Sequence, residues 1–195
     1  MLDIENRDPK TINDLSEALS AHGFFTITNH GIKDEILSSS YDLSKKFFDL
    51  SDEIKNNYAH PEKAGARGYT PLGKETAVGE KTADLKEFWH HGPVIDQTFD
   101  NRISENIIVS EIPEFNDQFD LLFSQLNLLG IKVLSAIAVI LGKDPTFFDD
   151  WALKGNSILR LIHYPPVTDS TNIMRARAHA DINLITLLVG AEESG

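Results

Sequence analysis

A histidine and an aspartate, His179 and Asp181, lie two positions apart just before an apolar run. If this segment is a β-strand, side chains at positions i and i+2 point to the same face, so an imidazole and a carboxylate stand side by side. Imidazole and carboxylate ligands without sulfur suit Fe(II) bound by two histidines and one carboxylate, an arrangement that leaves coordination positions open. The pair therefore predicts part of an iron site that needs one more histidine.

The same two residues also have a simpler interpretation. A lone His-x-Asp pattern often arises by chance, and such a pair at a strand edge commonly forms a hydrogen bond or caps a loop. His90 and His91 are further candidate ligands, but neighbours on a strand point to opposite faces, so we expect hydrogen-bonding or surface roles for them. The residues alone leave a metal site and a structural pair open.

Composition narrows the class of protein. The 195 residues are expected to form one principal core, and the absence of cysteine excludes disulfides and thiolate ligands. A formal net charge of −12 repels nucleic acid and anionic membrane surfaces. We find no apolar run approaching the ~20 residues of a membrane helix and no secretory signal, so we expect a cytoplasmic protein with no membrane partner.

The elements that must position these residues begin with helices. Apolar residues recur with helical spacing over 11–22, and Gly23 is placed to end that helix. Residues 24–28 are typical of a short buried strand. Four more helices are predicted: one carrying Ile36, Leu43, Phe47 and Leu50, a short one capped by Ser51, a long one from Pro113 to Gly142, and a short one over 144–152.

Loops and strands complete the prediction. The glycine- and proline-containing stretch 61–81 predicts a long loop, and residues 157–167 and 178–189 predict two strands. The sheet is thus expected to begin near residue 156. So few strands cannot bury the apolar surface of the long helix, so the chain is expected to be incomplete. Four phenylalanines are predicted to be core residues: Phe47, Phe48, Phe147 and Phe148.

Sequence blocks around these residues are more specific than the His-x-Asp pair. Five occur in order: GFFTITNHGI (23–32), RGYTPLGKE (67–75), DLKEFWHHGP (84–93), LRLIHYPP (159–166) and HADINLITLL (179–188). Together they resemble the isopenicillin N synthase-like family of Fe(II), 2-oxoglutarate-dependent dioxygenases. The resemblance implies an α+β fold: a helix-rich N-terminal region (1–100), then a long helix and the first strands of a double-stranded β-helix, or jelly roll (101–195), incomplete at the C-terminus.

The resemblance also implies roles for four residues. His179 and Asp181 are similar to the first two iron ligands, and Tyr164 is similar to a tyrosine that contacts the carboxylate of 2-oxoglutarate. Tyr69 is similar to a residue near the substrate pocket. On chemistry alone, Tyr164 could instead satisfy a backbone carbonyl, and the Gly-Tyr-x-Pro turn could serve to hold its loop in place.

The implied reaction is the oxidation of a small molecule, most often hydroxylation, with Fe(II), 2-oxoglutarate and O₂, and with ascorbate as an additional reductant. In this family the third ligand and an Arg-x-Ser that binds 2-oxoglutarate come further along the chain, so the 195 residues are expected to be an inactive fragment. Two alternatives remain: a family oxidase that does not use 2-oxoglutarate, and a non-catalytic interaction module. Neither the substrate nor the oligomeric state follows from the sequence.

Overall fold

A computed structural model describes residues 2–3, 9–63, 65–74, 85–166 and 181–190. Its helices and small sheets confirm the predicted α+β class. The chain divides into two compact units. Unit 1 comprises Met1–Ile32, Gln125–Gly155 and Ala180–Gly195, and unit 2 comprises Lys33–Ser124 and Asn156–His179. The predicted regions 1–100 and 101–195 stay a prediction.

The N-terminal part of unit 1 contains one helix and a pair of very short strands. Helix α1 (Pro9–His22) ends as predicted at Gly23, whose φ of +77° suits glycine and whose N–H donates to two carbonyls of the preceding turn at 3.1 and 3.2 Å. Strand β1 (Leu2–Asp3) pairs in parallel with β2 (Ile27–Thr28). The predicted strand 24–28 was too long, because β1 pairs only with its last two residues, and Phe24 is 76% exposed.

Two helices and a turn begin unit 2. Helix α2 covers Asp34–Phe48 and helix α3 covers Asp52–Asn56. The Ser51 hydroxyl accepts a hydrogen bond from the N–H of Ile54 at 3.4 Å, which confirms the predicted cap of α3. A 3₁₀ turn at Pro61–Lys63 follows. These elements bring α3 close to the sheet described below.

The longest helix, α4 (Phe115–Ile140), contributes to both units. Its length and a mean hydropathy of 1.7 over 18 residues would allow it to cross a membrane, so the prediction that no segment approaches that size is wrong. Phe115 and Phe119 are buried in unit 2, whereas Leu134 and Ala138 are buried in unit 1. Its apolar side chains therefore pack the cores of both units.

The segment after α4 is less helical than predicted. Helix α5 covers only Asp149–Ala152. Phe148 is buried against Leu134 and Ala138, as predicted for a core residue. Phe147 is 45% exposed, so its assignment to the core is wrong: the two rings, adjacent in the chain, meet edge-on at 5.0 Å, and only one turns inward.

The main sheet lies in unit 2 and has three antiparallel strands in the order β3-β4-β5. They are β3 (Gly68–Thr70), β4 (Glu87–His91) and β5 (Leu159–His163). Strand β5 confirms the first predicted C-terminal strand. The prediction that the sheet begins near residue 156 is wrong, because β3 lies within the predicted loop 61–81 and β4 precedes residue 156.

The second predicted C-terminal strand is also wrong over its described part. Residues 181–190 form no strand, and no strand in the described ranges pairs with them. Apolar residues suit a strand only where a neighbouring strand takes up its backbone hydrogen bonds. Here Ile185 instead packs against the cluster of Leu134, Ala138 and Phe148 in unit 1. Through Ile185 the segment thus packs on apolar residues of unit 1 without forming a strand.

Close packing fixes the start of β3. A Cβ at Gly68, where φ is +82°, would lie 2.6 Å from the carbonyl oxygen of Tyr58, so only glycine fits. The preceding Arg67 is 1% exposed, and its Nη2 donates to Oδ1 of Asn156 at 2.8 Å. Its guanidinium fills the space in which a Cβ at Gly92 would lie, at 2.1 Å from Cζ. Glycine is therefore required at position 68 by the backbone, whereas a side chain at position 92 would have to displace the Arg67 guanidinium.

Aromatic rings form the core of unit 2. Phe47, Trp89 and Phe115 are fully buried, which confirms the prediction for Phe47. The ring centroid of Phe47 lies 4.9 Å from that of Trp89 and 5.3 Å from that of Phe115, in edge-on and tilted arrangements. Phe48 is also buried, as predicted. This cluster joins α2, β4 and α4 in one core.

Phe47→Ala should destabilise unit 2 strongly, because it removes a fully buried ring from the centre of this cluster. We expect a loss of about 3–5 kcal/mol in the free energy of unfolding, measured by urea denaturation with tryptophan fluorescence. The exposed Phe24 provides the control, and Phe24→Ala should change stability by less than about 0.5 kcal/mol. Equal losses in the two variants would contradict this description of the core.

Candidate functional site

Three of the four residues predicted for the site are described by the structure, and they lie in two units. Asp181 belongs to unit 1 and is exposed, and its carboxylate accepts a hydrogen bond from the hydroxyl of Thr186. Tyr69 and Tyr164 belong to unit 2. His179 lies outside the described residues. The structure therefore does not show the two predicted iron ligands side by side, and their pairing stays a prediction.

The donor chemistry at Asp181 suits a metal ion. An exposed carboxylate offers oxygen lone pairs, and Fe(II) takes such a ligand together with imidazole nitrogen. Within the described part of the chain, no three histidine, aspartate or glutamate side chains lie close enough to hold a metal ion. The described residues thus supply one suitable ligand for iron, and the sequence places a second, His179, two positions before it.

A buried carboxylate, Glu87, forms the most connected polar group of unit 2. Its Oε2 accepts a hydrogen bond from Nζ of Lys55 at 2.8 Å and another from the hydroxyl of Tyr69. Its Oε1 lies 2.7 Å from Nδ1 of His163. We call these four residues the Glu87 cluster. It joins α3, β3, β4 and β5 through a single side chain.

The electrostatics of the Glu87 cluster favour the charged carboxylate. Burial alone would raise the pKa of Glu87, but hydrogen bonds from Lys55, Tyr69 and His163 hold that pKa below its ordinary value. Burial likewise opposes the charge on Lys55, yet hydrogen bonds to Glu87 and Asp52 raise its pKa. Burial and the Glu87 carboxylate also raise the pKa of Tyr69, so its hydroxyl stays a hydrogen-bond donor.

Tyr69 is 5% exposed, and its hydroxyl is used within the Glu87 cluster. The contact is the one expected if the Gly-Tyr-x-Pro turn holds its loop in place. The proposed proximity of Tyr69 to the substrate stays a prediction.

Tyr164 comes directly after β5 and is partly buried. The residue before it, His163, shares a hydrogen bond with Glu87 and stacks its ring on Phe48, with centroids 5.3 Å apart and planes at 28°. The residue immediately before Tyr164 is therefore held by a hydrogen bond and by a ring contact. Its contact with 2-oxoglutarate stays a prediction.

Sequence reasoning missed the Glu87 cluster. Its one local signal is a charged residue, Glu87, at the start of the strand EFWHH, all five residues of which are buried. A charge in such a strand needs partners, because an unpaired buried carboxylate is very costly. The partners themselves are remote in sequence.

His90 and His91 have the hydrogen-bonding roles predicted for them. Nε2 of His90 accepts from Nε of Arg160 at 2.7 Å, so its proton is on Nδ1, which donates to the carbonyl of Gly65 at 2.5 Å. Nε2 of the fully buried His91 lies 2.6 Å from Oδ1 of Asp120. Both histidines thus serve the packing of unit 2.

A cleft of about 200 Å³ lies beside Asp120 in unit 2. Its polar lining includes the carboxylates of Glu105 and Asp120 together with the side-chain amides of Asn106 and Asn116. The lining carries negative charge, which repels a dicarboxylate such as 2-oxoglutarate. The charge of this lining therefore disfavours 2-oxoglutarate as the molecule bound in the cleft.

Comparisons with known proteins agree with the α+β fold and the sequence blocks. The model of the family "non-haem dioxygenase in morphine synthesis N-terminal" matches residues 1–109. A proline hydroxylase of Petromyces alliaceus is 32% identical over 190 residues, covering 93% of this chain. A 2OG-Fe(II) oxygenase family protein of Caulobacter crescentus is 36% identical over 83% of this chain, with a TM-score of 0.74. A full-length protein of Neurospora crassa, solved in complex with alpha-KG (2-oxoglutarate), is 26% identical over 89% of the chain, also with a TM-score of 0.74.

Fold and sequence together define the class of 2OG-Fe(II) oxygenases. Since the family model matches more than half of its residues, the chain belongs to the family of non-haem Fe(II), 2-oxoglutarate-dependent dioxygenases. The family predicted from the five sequence blocks is thus confirmed. The chain spans 59% of the length of the proline hydroxylase, 53% of the Caulobacter protein and 58% of the Neurospora protein.

Glu87→Gln should make the stability of the protein less sensitive to acid. The pKa of Glu87 is lower in the folded protein than its ordinary 4.5, so the charged group stabilises the fold above that pH. This contribution is lost as the pH falls below 4.5 and through the folded pKa. We expect the wild type to exceed the variant by about 1–3 kcal/mol near pH 7 and the difference to shrink towards about pH 3.

Urea denaturation of both proteins across this pH range measures the difference. Glu111→Gln is the matched control, because Glu111 also accepts a hydrogen bond from a tyrosine, Tyr58, whereas Lys55 donates to Glu87. A difference between wild type and Glu87→Gln that stays constant with pH would show that the Glu87 charge does not stabilise the fold.

Proposed function

We propose that the protein is an oxygenase that uses Fe(II) and 2-oxoglutarate to oxidise a small molecule. The observation that carries the proposal is the match of the family model to residues 1–109. The spacing of His179 and Asp181, two of the three ligands that such an iron site requires, supports it independently. We further propose that β5 belongs to the jelly-roll core of this family.

In this proposal each named side chain has one task. His179 and Asp181 bind Fe(II) through imidazole nitrogen and carboxylate oxygen, and the hydroxyl of Tyr164 donates a hydrogen bond to a carboxylate of 2-oxoglutarate. Bound iron supplies the redox chemistry and open coordination positions that no amino-acid side chain provides. The protein positions the reactants and excludes water.

The substrate class follows from relatives and from charge. One relative bears the name proline hydroxylase, and the Neurospora protein has also been solved in complex with alpha-KG and thymine. Proline and thymine are both small molecules. The net charge of −12 disfavours a nucleic-acid polymer as the substrate. We therefore propose a small metabolite, and which one is a question for a substrate screen.

Asp181→Ala and His179→Ala should each abolish high-affinity Fe(II) binding, because each removes a metal ligand. For the protein expressed from its full reading frame, we expect affinity to fall by about a hundredfold or more, measured by anaerobic Fe(II) titration. Succinate formation from 2-oxoglutarate under O₂ should fall in parallel. Asp117→Ala, which removes another exposed aspartate, is the control and should bind iron normally.

Wild-type affinity in Asp181→Ala would contradict the ligand assignment. Iron binding without succinate formation in the wild type would favour the family oxidase that does not use 2-oxoglutarate. Assaying the 195-residue chain beside the full reading frame tests the prediction that this chain alone is inactive, and succinate at equal rates would overturn it.

A further inference from the structure

We propose that Glu87 and His163 form a positioning pair that orients Tyr164 towards the carboxylate of 2-oxoglutarate. The inference rests on the proposed function, in which Tyr164 contacts that co-substrate. It assigns to the Glu87 cluster a specific part in co-substrate binding. Neither residue of the pair is a catalytic residue, because neither is placed in contact with the reactants.

The strand register brings the pair together. Glu87 and His163 lie directly opposite each other in the β4-β5 ladder, at the end where β5 stops. Opposite residues in an antiparallel pair share one face of the sheet. The 2.7 Å contact between Oε1 and Nδ1 therefore joins the two strands at the last paired residue before Tyr164. Tyr164 is the first residue beyond the ladder and has no strand partner in the described ranges.

Glu87 can hold His163 because it is itself held. Its other carboxylate oxygen accepts from Lys55 on α3 and from Tyr69 on β3. Lys55 also donates to the carbonyl of Phe48 at 3.2 Å, and the Phe48 ring stacks on His163. These contacts form a closed circuit of Lys55, Glu87, His163 and Phe48. A circuit of this kind restricts both the position and the ring orientation of His163.

The burial of Glu87 favours a positioning role for this residue over a catalytic role. The side chain of Glu87 is 7% exposed, and its three donors occupy both carboxylate oxygens. A substrate would have to displace one of these donors to reach it. Because His163 and Tyr164 are joined by a single peptide unit, restraining His163 at the end of β5 also restrains the backbone from which the Tyr164 side chain extends. A side chain that must meet a carboxylate at hydrogen-bond distance needs placement within about 0.5 Å.

Two substitutions of His163 separate the hydrogen bond from the packing. His163→Phe keeps an aromatic ring against Phe48 but removes the bond to Glu87, whereas His163→Asn keeps a donor near the position of Nδ1 and removes the ring. Binding of 2-oxoglutarate to the Fe(II)-loaded, full-length protein is measured by calorimetry without O₂. We expect the Kd to rise about tenfold in His163→Phe and to stay within about twofold in His163→Asn.

If His163 served packing alone, the order would reverse, with His163→Asn the weaker binder, and that result would overturn the proposal. Tyr164→Phe provides a second measurement through a double-mutant cycle. We expect little further loss when His163→Phe is combined with Tyr164→Phe, because both act through the same hydroxyl. Fully additive losses would contradict the inference even if His163→Asn failed to fold.

Tyr58→Phe is the matched control, since it removes a buried tyrosine hydroxyl that donates to Glu111 instead of Glu87, and it should leave the Kd unchanged. The two levels of proposal fail in different ways. A wild-type protein that binds Fe(II) but not 2-oxoglutarate overturns the proposed function and this inference together. Equal affinities of the wild type and His163→Phe for 2-oxoglutarate overturn this inference alone.

Discussion

The Glu87 carboxylate sits inside unit 2, where a charge is tolerated only if donors surround it. Three donors come from separate elements: Lys55 from α3, Tyr69 from β3 and His163 from β5. Each element must therefore keep its register and its distance from β4 for the charge to stay paired. The aromatic cluster of α2, β4 and α4 packs beside this group, so polar and apolar constraints act on the same strand.

Elements with local signals could be predicted from the sequence. Ser51 before α3 and Gly23 after α1 act within one helical turn, and both predictions were confirmed. Strand β3 could not be found in this way, because it is only three residues long and is defined by its pairing with β4. Residues 181–190 show the opposite error: their composition suits a strand, but they pack on helix residues of unit 1 instead.

In the candidate site, too, features with local sequence signals could be predicted, and features formed by long-range contacts could not. Short ordered blocks identified the family, since each block is contiguous in sequence. The Glu87 cluster was not predictable, because its members lie 32, 18 and 76 positions from Glu87. No periodicity or motif links residues at such separations, and only the folded sheet brings them together. His179 and Asp181, by contrast, are predicted from a two-residue spacing that is visible in the sequence itself.

The guanidinium of Arg67 occupies the volume that a side chain at position 92 would need. Its described contacts are with neutral groups, Asn156 and the Ala66 carbonyl, and burial lowers the pKa of Arg67. Positions 67 and 92 thus share one space in the fold, although 24 residues lie between them in the sequence. A larger residue at position 92 would have to displace this guanidinium or be accompanied by a shorter residue at position 67.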